Sequence, residues 1–315
     1  MRWFAKAPSN IALIKYMGKK NYDTNVPDNP SLSYTLPHLI SDVEIETQAG
    51  DVDSWEPLNK EDQPPLALSS HAQARFLKHL NFLKAQFNYS GAFIVRSCNN
   101  FPHSSGFASS ASSFAALTQC AILALSELTK TPCPDIETQA QLSRQGSGSS
   151  CRSFFSPWAL WSDETVKAID LPFMDLHHEV IVIDQNEKDV SSSEAHKRIK
   201  NNLHYSLRPE RAAQHLNRLL AAFERKDWMA AYHVCWDEFQ DMHQLFSTCA
   251  EPFSYITDKS QAALNALQAL WQLKGDGPLI TMDAGPNIHL LYRNNQSKLA
   301  SQFKADLLAS GYEIL

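Results

Sequence analysis

Residues 101–128 read FPHSSGFASSASSFAALTQCAILALSEL, a stretch that joins a polar, serine-rich start to a long apolar segment. We expect a helix that opens at a turn over residues 102–105 and runs to about Leu128, because apolar and small residues recur at helical spacing. Those residues are Phe107, Ala111, Phe114, Ala115, Thr118, Ile122 and Leu125.

The start of this predicted helix has the composition of a phosphate-binding loop. Free backbone N–H groups and the positive end of the helix dipole suit an anion there. Small residues let the backbone approach closely, and serine hydroxyls can donate to phosphate or ligate Mg²⁺. The candidates are Ser105, Gly106, Ala108, Ser109, Ser110 and Ser112. No G-K-[ST] follows, so this is not a Walker A loop, and a well-capped helix behind a serine-rich loop would have the same composition.

On both sides of this stretch the sequence mixes strands with helices. Alternation and β-formers predict strands at 41–47 and 91–97, separated by a surface loop over 50–65 and a helix over 71–87. Asp135 has the position of a helix N-cap. Beyond residue 172 we expect a short strand at 179–184, amphipathic helices through 212–223 and 228–242, and a third helix from about 258. The end of the chain reads strand (279–283), strand (288–292), helix and strand (312–315).

Length and composition limit the possible classes of protein. With 315 residues, the chain is long enough for two α+β domains, which we expect at 1–172 and 173–315. A net charge of −6 gives no global attraction for nucleic acid. Neither a signal peptide nor a membrane span is expected. The six cysteines include no C-x-x-C pair, which fits reduced cysteines in a cytoplasmic protein without structural zinc.

A second candidate segment, residues 143–153, reads SRQGSGSSCRS. Gly146 and Gly148 relax the backbone, and the serines between and after them offer hydroxyls. Arg144 and Arg152 offer forked donors that match phosphate or carboxylate oxygens. A flexible linker would share the glycine and serine content but has no need of two flanking arginines.

Two further segments place charged residues at apolar runs. Lys15 lies within the apolar run 11–16 and should face a cleft or an anion, because an unpaired buried ammonium is costly. Lys19 and Lys20 read equally well as surface charges. Asp283 follows an apolar strand and precedes a Gly-Pro turn, a position where chemistry is common, although such an aspartate can also stabilise its own turn.

Taken in order, these segments resemble the mevalonate diphosphate decarboxylase family of the GHMP kinase superfamily. The resemblance runs from Ala7 to beyond Asn287 and rests on APSNIALIKY, GFASSASSFAAL, GSGSSCRS, DVSS and TMDAGPN. It implies an N-terminal ribosomal-protein-S5-like domain and a C-terminal ferredoxin-like domain, commonly in a homodimer. It also implies ATP and Mg²⁺, and a reaction in which phosphorylation of a tertiary 3-hydroxyl is followed by loss of phosphate and CO₂.

The resemblance also implies roles for individual residues. Asp283 matches the catalytic aspartate, with Lys15 beside it, Arg152 on the substrate carboxylate and Asn10 supporting this network. The residues matched to the diphosphate and the rest of the substrate are Tyr16, Lys19, Ser147, Gly148, Ser149, Ser191 and Ser192. The ATP phosphate loop contains the serines named above, with Ser110 the candidate for the γ-phosphate and for Mg²⁺.

Four alternatives differ in what they predict. A mevalonate-type 3-kinase would stop after phosphorylation, and a phosphomevalonate decarboxylase would prefer the monophosphate. The set Asp283, Lys15 and Arg152 favours decarboxylation, and Ser147 with Ser149 favours the diphosphate. A GHMP kinase for homoserine or a sugar usually has a glycine-richer loop. An S5-like nucleic-acid-binding protein is disfavoured by the negative charge and the lack of a basic stripe.

Overall fold

The computed structural model describes residues 1–60, 65–101, 109–186 and 188–315. Its architecture is α+β. The strands are β1 (Arg2–Ile14), β2 (Lys19–Asn21), β3 (Val26–Pro27), β4 (Ser31–Gln48), β5 (Ser54–Pro57), β6 (Ala92–Asn99), β7 (Trp158–Ser162), β8 (Thr165–Ala168), β9 (Leu176–Val182), β10 (Leu279–Thr281), β11 (Ile288–Arg293) and β12 (Glu313–Ile314). The helices are α1 (Ser70–Gln86), α2 (Ser109–Thr129), α3 (Ile136–Gly146), α4 (Ser192–Arg198), α5 (Arg208–Glu224), α6 (Trp228–Ser247), α7 (Asp258–Lys274) and α8 (Ser297–Ala309).

The first sheet is built on the long strand β4, which pairs with β1, β6 and β7. Its strand order is β5-β6-β4-β7-β8, and β1 runs antiparallel to β4 from Arg2 opposite Glu46 to Ile14 opposite Leu32. Helices α1 and α2 pack on this sheet over an apolar core that includes Val43, Leu80 and Leu117. Lys15 directly follows β1, so the position of this strand in the sheet sets the position of the lysine.

The second sheet is antiparallel, with strand order β10-β11-β9-β12. Thr281 of β10 pairs with His289 of β11, so the turn between these strands carries Asp283 at the sheet edge. Helix α7 begins with a capping box between Thr257 and Ser260 and ends at Gly275 with a positive φ of 67°.

One core joins the two sheets. Ile11 and Ile14 of β1 are fully buried in the same cluster as Phe223 of α5 and Phe239 of α6. Such a shared core holds the end of β1 rigidly against α5 and α6.

The structure confirms most of the predicted elements and corrects one. Asp135 is the N-cap of α3, and its side chain accepts from Thr138 N at 2.8 Å. The predicted loop over 50–65 contains a short edge strand, β5, which pairs in parallel with β6. Trp55 and Glu56 of β5 bond across to β6 side chains, so tertiary pairing overrode the polar, proline-punctuated local sequence. The strands β1, β2 and β3, the first half of β4, the hairpin β7–β8 and the short helix α4 were not predicted.

Helix α2 begins at Ser109, and its predicted opening turn lies outside the described residues. By length and composition α2 could cross a membrane, and it is the one described helix that meets this criterion. Within this structure 72% of its apolar window is buried, as in core helices that pass the same test.

Candidate active site

A cleft of about 270 Å³ gathers predicted residues from five segments of the chain, one of them the start of α2 with Ser109 and Ser110. It lies where the end of β1, the 3₁₀ segment Gly148–Phe154, the start of α4 and the β10–β11 turn meet. The predicted residues that line it are Lys15, Tyr16, Lys19, Ser109, Ser110, Ser147, Gly148, Ser149, Arg152, Ser191, Ser192 and Asp283. Segments far apart in sequence thus form one site.

An ion pair between Lys15 and Asp283 lies in this cleft. Lys15 Nζ donates to Asp283 Oδ1 at 2.7 Å; the lysine side chain is 2% exposed and the aspartate side chain 26% exposed. Burial lowers the pKa of Lys15, and the neighbouring carboxylate opposes this effect. Burial would raise the pKa of Asp283, but the charge and hydrogen bond of Lys15, together with the charges of His289 and Arg152, lower that pKa overall. Asp283 is therefore an ionised carboxylate, open on one side to the cleft.

Arg152 is held rigidly with a donor to spare. Its Nε donates to Asn10 Oδ1 at 3.0 Å, and Asn10 Nδ2 in turn donates to Ser153 Oγ at 2.8 Å. Its guanidinium lies 5.7 Å from the centre of the Trp161 ring. Nη1 is buried and bonds to no described group. Asn10 itself is fully buried behind the cleft, so its contribution is to fix the direction of Arg152.

Tyr16 is packed between two rings, Trp161 and His196, each 4.6 Å away between centroids. Gly148 lies directly against it, and a Cβ on Gly148 would come within 2.6 Å of Tyr16 Cε1. The glycine is therefore required by the close approach of this tyrosine.

We expect Gly148→Ala to raise KM for the anionic substrate about tenfold, since it would displace a tyrosine that has no room to retreat. Steady-state kinetics of this variant would check it. Gly50→Ala would control for the loss of a glycine without a side-chain clash, because nothing lies within 4 Å of a Cβ there and its φ of 98° adds only backbone strain. An unchanged KM in Gly148→Ala would show that Tyr16 can move without consequence.

Comparison with known proteins identifies the family. Residues 7–169 match the diphosphomevalonate decarboxylase-like N-terminal domain, and residues 179–310 match the mevalonate 5-diphosphate decarboxylase C-terminal domain. The chain belongs to the diphosphomevalonate decarboxylase family. The resemblance found in the sequence is thereby confirmed, together with the two-domain fold class.

Individual family members agree with this assignment. The crystal structure of a mevalonate diphosphate decarboxylase from Legionella pneumophila is 58% identical, with a TM-score of 0.95 over 100% of both chains. A structure of MDDEF in complex with MVAPP, AMPPCP and magnesium is 29% identical, with a TM-score of 0.86 over 97% of this chain and 93% of that one. The diphosphomevalonate decarboxylase of Gibberella zeae is 31% identical over 93% of this chain and 81% of that protein.

Not all of the remaining predicted residues lie at the cleft. Ser191 caps α4 by accepting from Glu194 N, while Ser110 and Ser147 face each other at 3.4 Å between hydroxyls. Ser112 is fully buried and bonds to Ser41 Oγ at 2.7 Å, so the structure does not bring it to the cleft. Ser105, Gly106 and Ala108 lie outside the described residues.

Lys188 is a cleft residue that the sequence analysis missed. Its Nζ donates to Ser192 Oγ at 2.9 Å and to the Ala284 carbonyl, next to Asp283. A lysine three residues before the first serine of D-V-S-S was a usable signal. Arg75 and His196 also line the cleft and were missed, because nothing in their local sequence marks them.

Two lysines give the cleft a titratable positive charge. Burial lowers the pKa of Lys19 to about 8, and the charges of Arg75 and Lys197 act in the same direction. Burial also lowers the pKa of Lys188 to about 8, opposed by the charge of Asp283. Both ammonium groups are thus present below about pH 8 and are lost above it.

We therefore expect KM for a phosphorylated substrate to rise between about pH 7 and 9, as the cleft loses positive charge. Initial rates across this range would measure it. Lys19→Arg, whose guanidinium does not titrate there, should make the rise smaller and leave only the part due to Lys188. A KM independent of pH in both proteins would contradict the assignment of these lysines to the anion.

Mg²⁺ at this site would be bound by oxygen atoms of both the protein and the nucleotide phosphates. In the described ranges, three or more His, Cys, Asp or Glu side chains nowhere cluster as metal ligands do. Mg²⁺ commonly binds through phosphates with few protein ligands, and the hydroxyls of Ser109, Ser110 and Ser147 at the cleft fit that arrangement.

Proposed function

We propose that this family member converts mevalonate 5-diphosphate and ATP into isopentenyl diphosphate, ADP, phosphate and CO₂. The single observation that carries the proposal is the meeting of an ionised Asp283 and a spare Arg152 donor in one cleft rimmed by lysines and serines. One group can take a hydroxyl proton, and the other can bind a carboxylate.

Asp283 would accept or orient the proton of the 3-hydroxyl. Its low pKa makes it a weak base, so it would align the hydroxyl for attack on a phosphoryl group and take up the proton only as the new bond to phosphorus forms. After phosphate departs, the same carboxylate would stabilise positive charge at C3. Lys15 keeps it ionised and fixes its direction.

Arg152 lines the cleft and would hold the substrate carboxylate through guanidinium N–H groups that its bond to Asn10 leaves unused. A carboxylate held on one face of C3 is oriented to leave as CO₂, and its bonding electrons then form the double bond. The bond to Asn10 prevents the guanidinium from following the departing group.

The phosphates would lie along the serine-rich walls of the cleft. Tyr16, Lys19, Ser147, Gly148 and Ser149 are proposed for the diphosphate, and Ser191 with Ser192 for the rest of the substrate. Ser109 and Ser110 are proposed for ATP, with Ser110 toward the γ-phosphate and Mg²⁺. Bound ATP·Mg²⁺ would supply the phosphoryl group and neutralise its charge. The structure of the relative MDDEF in complex with MVAPP, AMPPCP and magnesium supports ATP and Mg²⁺ as the cofactors.

A 3-kinase is the rival with the same first step. The rigid Arg152 disfavours a 3-kinase, because phosphoryl transfer alone does not need a fixed hydrogen-bond donor for the substrate carboxylate beside C3. Measuring ADP and CO₂ in parallel with mevalonate, its 5-phosphate and its 5-diphosphate would decide. Equal ADP and CO₂ with the diphosphate preferred would support the proposal, and ADP without CO₂ would contradict it.

The resemblance carries three further proposals. The protein is cytoplasmic, it forms a homodimer, and each chain divides into its two domains near residue 172. The last strand of the first sheet ends at Ala168 and the second sheet begins at Leu176, which supports that boundary. Sedimentation of the purified chain would test the dimer.

A further inference from the structure

Helix α6 contacts the backbone of both members of the Lys15–Asp283 pair. Glu238 Oε1 accepts from Lys15 N at 2.8 Å, and His243 Nε2 lies 3.1 Å from the Asp283 carbonyl oxygen. The two residues of the pair are separated by 268 positions in sequence, whereas their α6 partners are one and a half turns apart.

The contact to Lys15 is part of a fully buried network. Glu238 and Arg208 of α5 form an ion pair with no exposed side-chain surface. Arg208 Nη2 also donates to the Lys15 carbonyl at 3.3 Å, and Asn29 Nδ2 donates to the same oxygen at 2.8 Å. Both backbone polar groups of Lys15 are thus bonded to side chains, which leaves the ammonium only side-chain freedom.

The contact to Asp283 fixes the tautomer of His243. A carbonyl oxygen only accepts, so Nε2 carries the proton and Nδ1 is bare; Nδ1 is buried and bonds to no group in the described part of the chain. Burial lowers the pKa of His243 to about 3, so this imidazole stays neutral throughout the working pH range. His243 is therefore a constant donor with no role as an acid or base.

We propose that Glu238 and His243 are positioning residues that set the Lys15–Asp283 geometry, each through one backbone group of its partner. This inference rests on the proposed function, in which that pair orients the 3-hydroxyl. Because one helix carries both contacts, a small shift of α6 would move lysine and aspartate together.

The expected result for His243→Phe is a fall in kcat of about 10- to 100-fold with little change in KM for ATP. The ring lies among Phe239, Phe246 and Tyr255, so phenylalanine keeps the packing and removes only the bond. His243→Gln, which retains an N–H donor, should recover part of the rate. His233→Ala, an exposed histidine on the same helix, is the control.

Glu238→Gln tests the charge at the other contact, because it also replaces one acceptor of the buried Arg208 pair by an amide NH₂, and it has a signature that a purely structural role lacks. The amide can still accept from Lys15 N, but the carboxylate charge that raises the pKa of Lys15 is gone. The alkaline limb of the kcat profile should therefore move to lower pH, with Asp237→Asn, its exposed neighbour, as control. The titratable and charged groups that face the ammonium are Asp283, Glu238, Arg152, Cys235 and His243.

Crystal structures of the variants separate this inference from the proposed function. Lengthening of the 2.7 Å Nζ–Oδ1 distance beyond about 3.5 Å in either variant would support the positioning role even if no decarboxylation were found. An unchanged distance, with kcat within twofold of wild type, would overturn it.

Discussion

Replacing Asp283 by asparagine should lower kcat by about four orders of magnitude while leaving ATP binding intact. Orientation of the hydroxyl and transfer of its proton each contribute roughly 10²-fold to the rate. Both depend on the negative charge of the carboxylate, which asparagine lacks. The substitution also removes the partner of a buried ammonium, so the free energy of unfolding should fall. Single-turnover measurement of ADP formation would give the rate of the chemical step, and calorimetric titration would give the affinity for ATP.

Asp184 offers a matched control for this change. It follows β9 by two residues, as Asp283 follows β10, and its Oδ1 accepts from Asn186 N in an exposed turn. Asp184→Asn should keep the wild-type rate, because asparagine can accept the same bond. If Asp283→Asn retained kcat within tenfold, Asp283 would have no place in the chemical step.

The second large effect is expected for Arg152→Lys, which should lower kcat/KM about 10³-fold despite conserving the charge. A guanidinium can donate through Nε to Asn10 and through its terminal N–H groups to a carboxylate at the same time, whereas one ammonium cannot reproduce that fork. The comparison is CO₂ release by this variant and by Arg218→Lys, an exposed arginine with a 3.8 Å surface pair. A loss of less than tenfold would assign Arg152 to packing against Trp161.

The sequence was informative where local pattern carries the signal. The apolar run around Lys15 predicted that its charge faces a cleft or an anion, and the structure places it in the cleft against Asp283. The position of Asp135 identified the start of α3. The apolar strand before Asp283 was also predicted, although β10 ends two residues earlier than expected, at Thr281.

Sequence analysis missed residues whose role depends on contact with a residue far away in the sequence. Glu238 and His243 look like ordinary polar residues of an amphipathic helix, and only the tertiary arrangement brings them to Lys15 and Asp283. Ser112 shows the opposite case: it lies in a serine-rich segment typical of a phosphate loop, but its hydroxyl bonds to Ser41 in the core. Helical spacing does not say which of several serines faces the ligand.

The shared core has a consequence for how the chain is made. Ile11 and Ile14 of β1 are covered by α5 and α6, and Glu238 follows Lys15 by 223 residues. At ribosomal speeds of about 5–20 residues per second, roughly 10 to 45 s pass between synthesis of the strand and of its cover. During that interval the nascent chain presents an apolar strand to chaperones, so messages truncated before α6 should yield aggregated or degraded product rather than a folded N-terminal half.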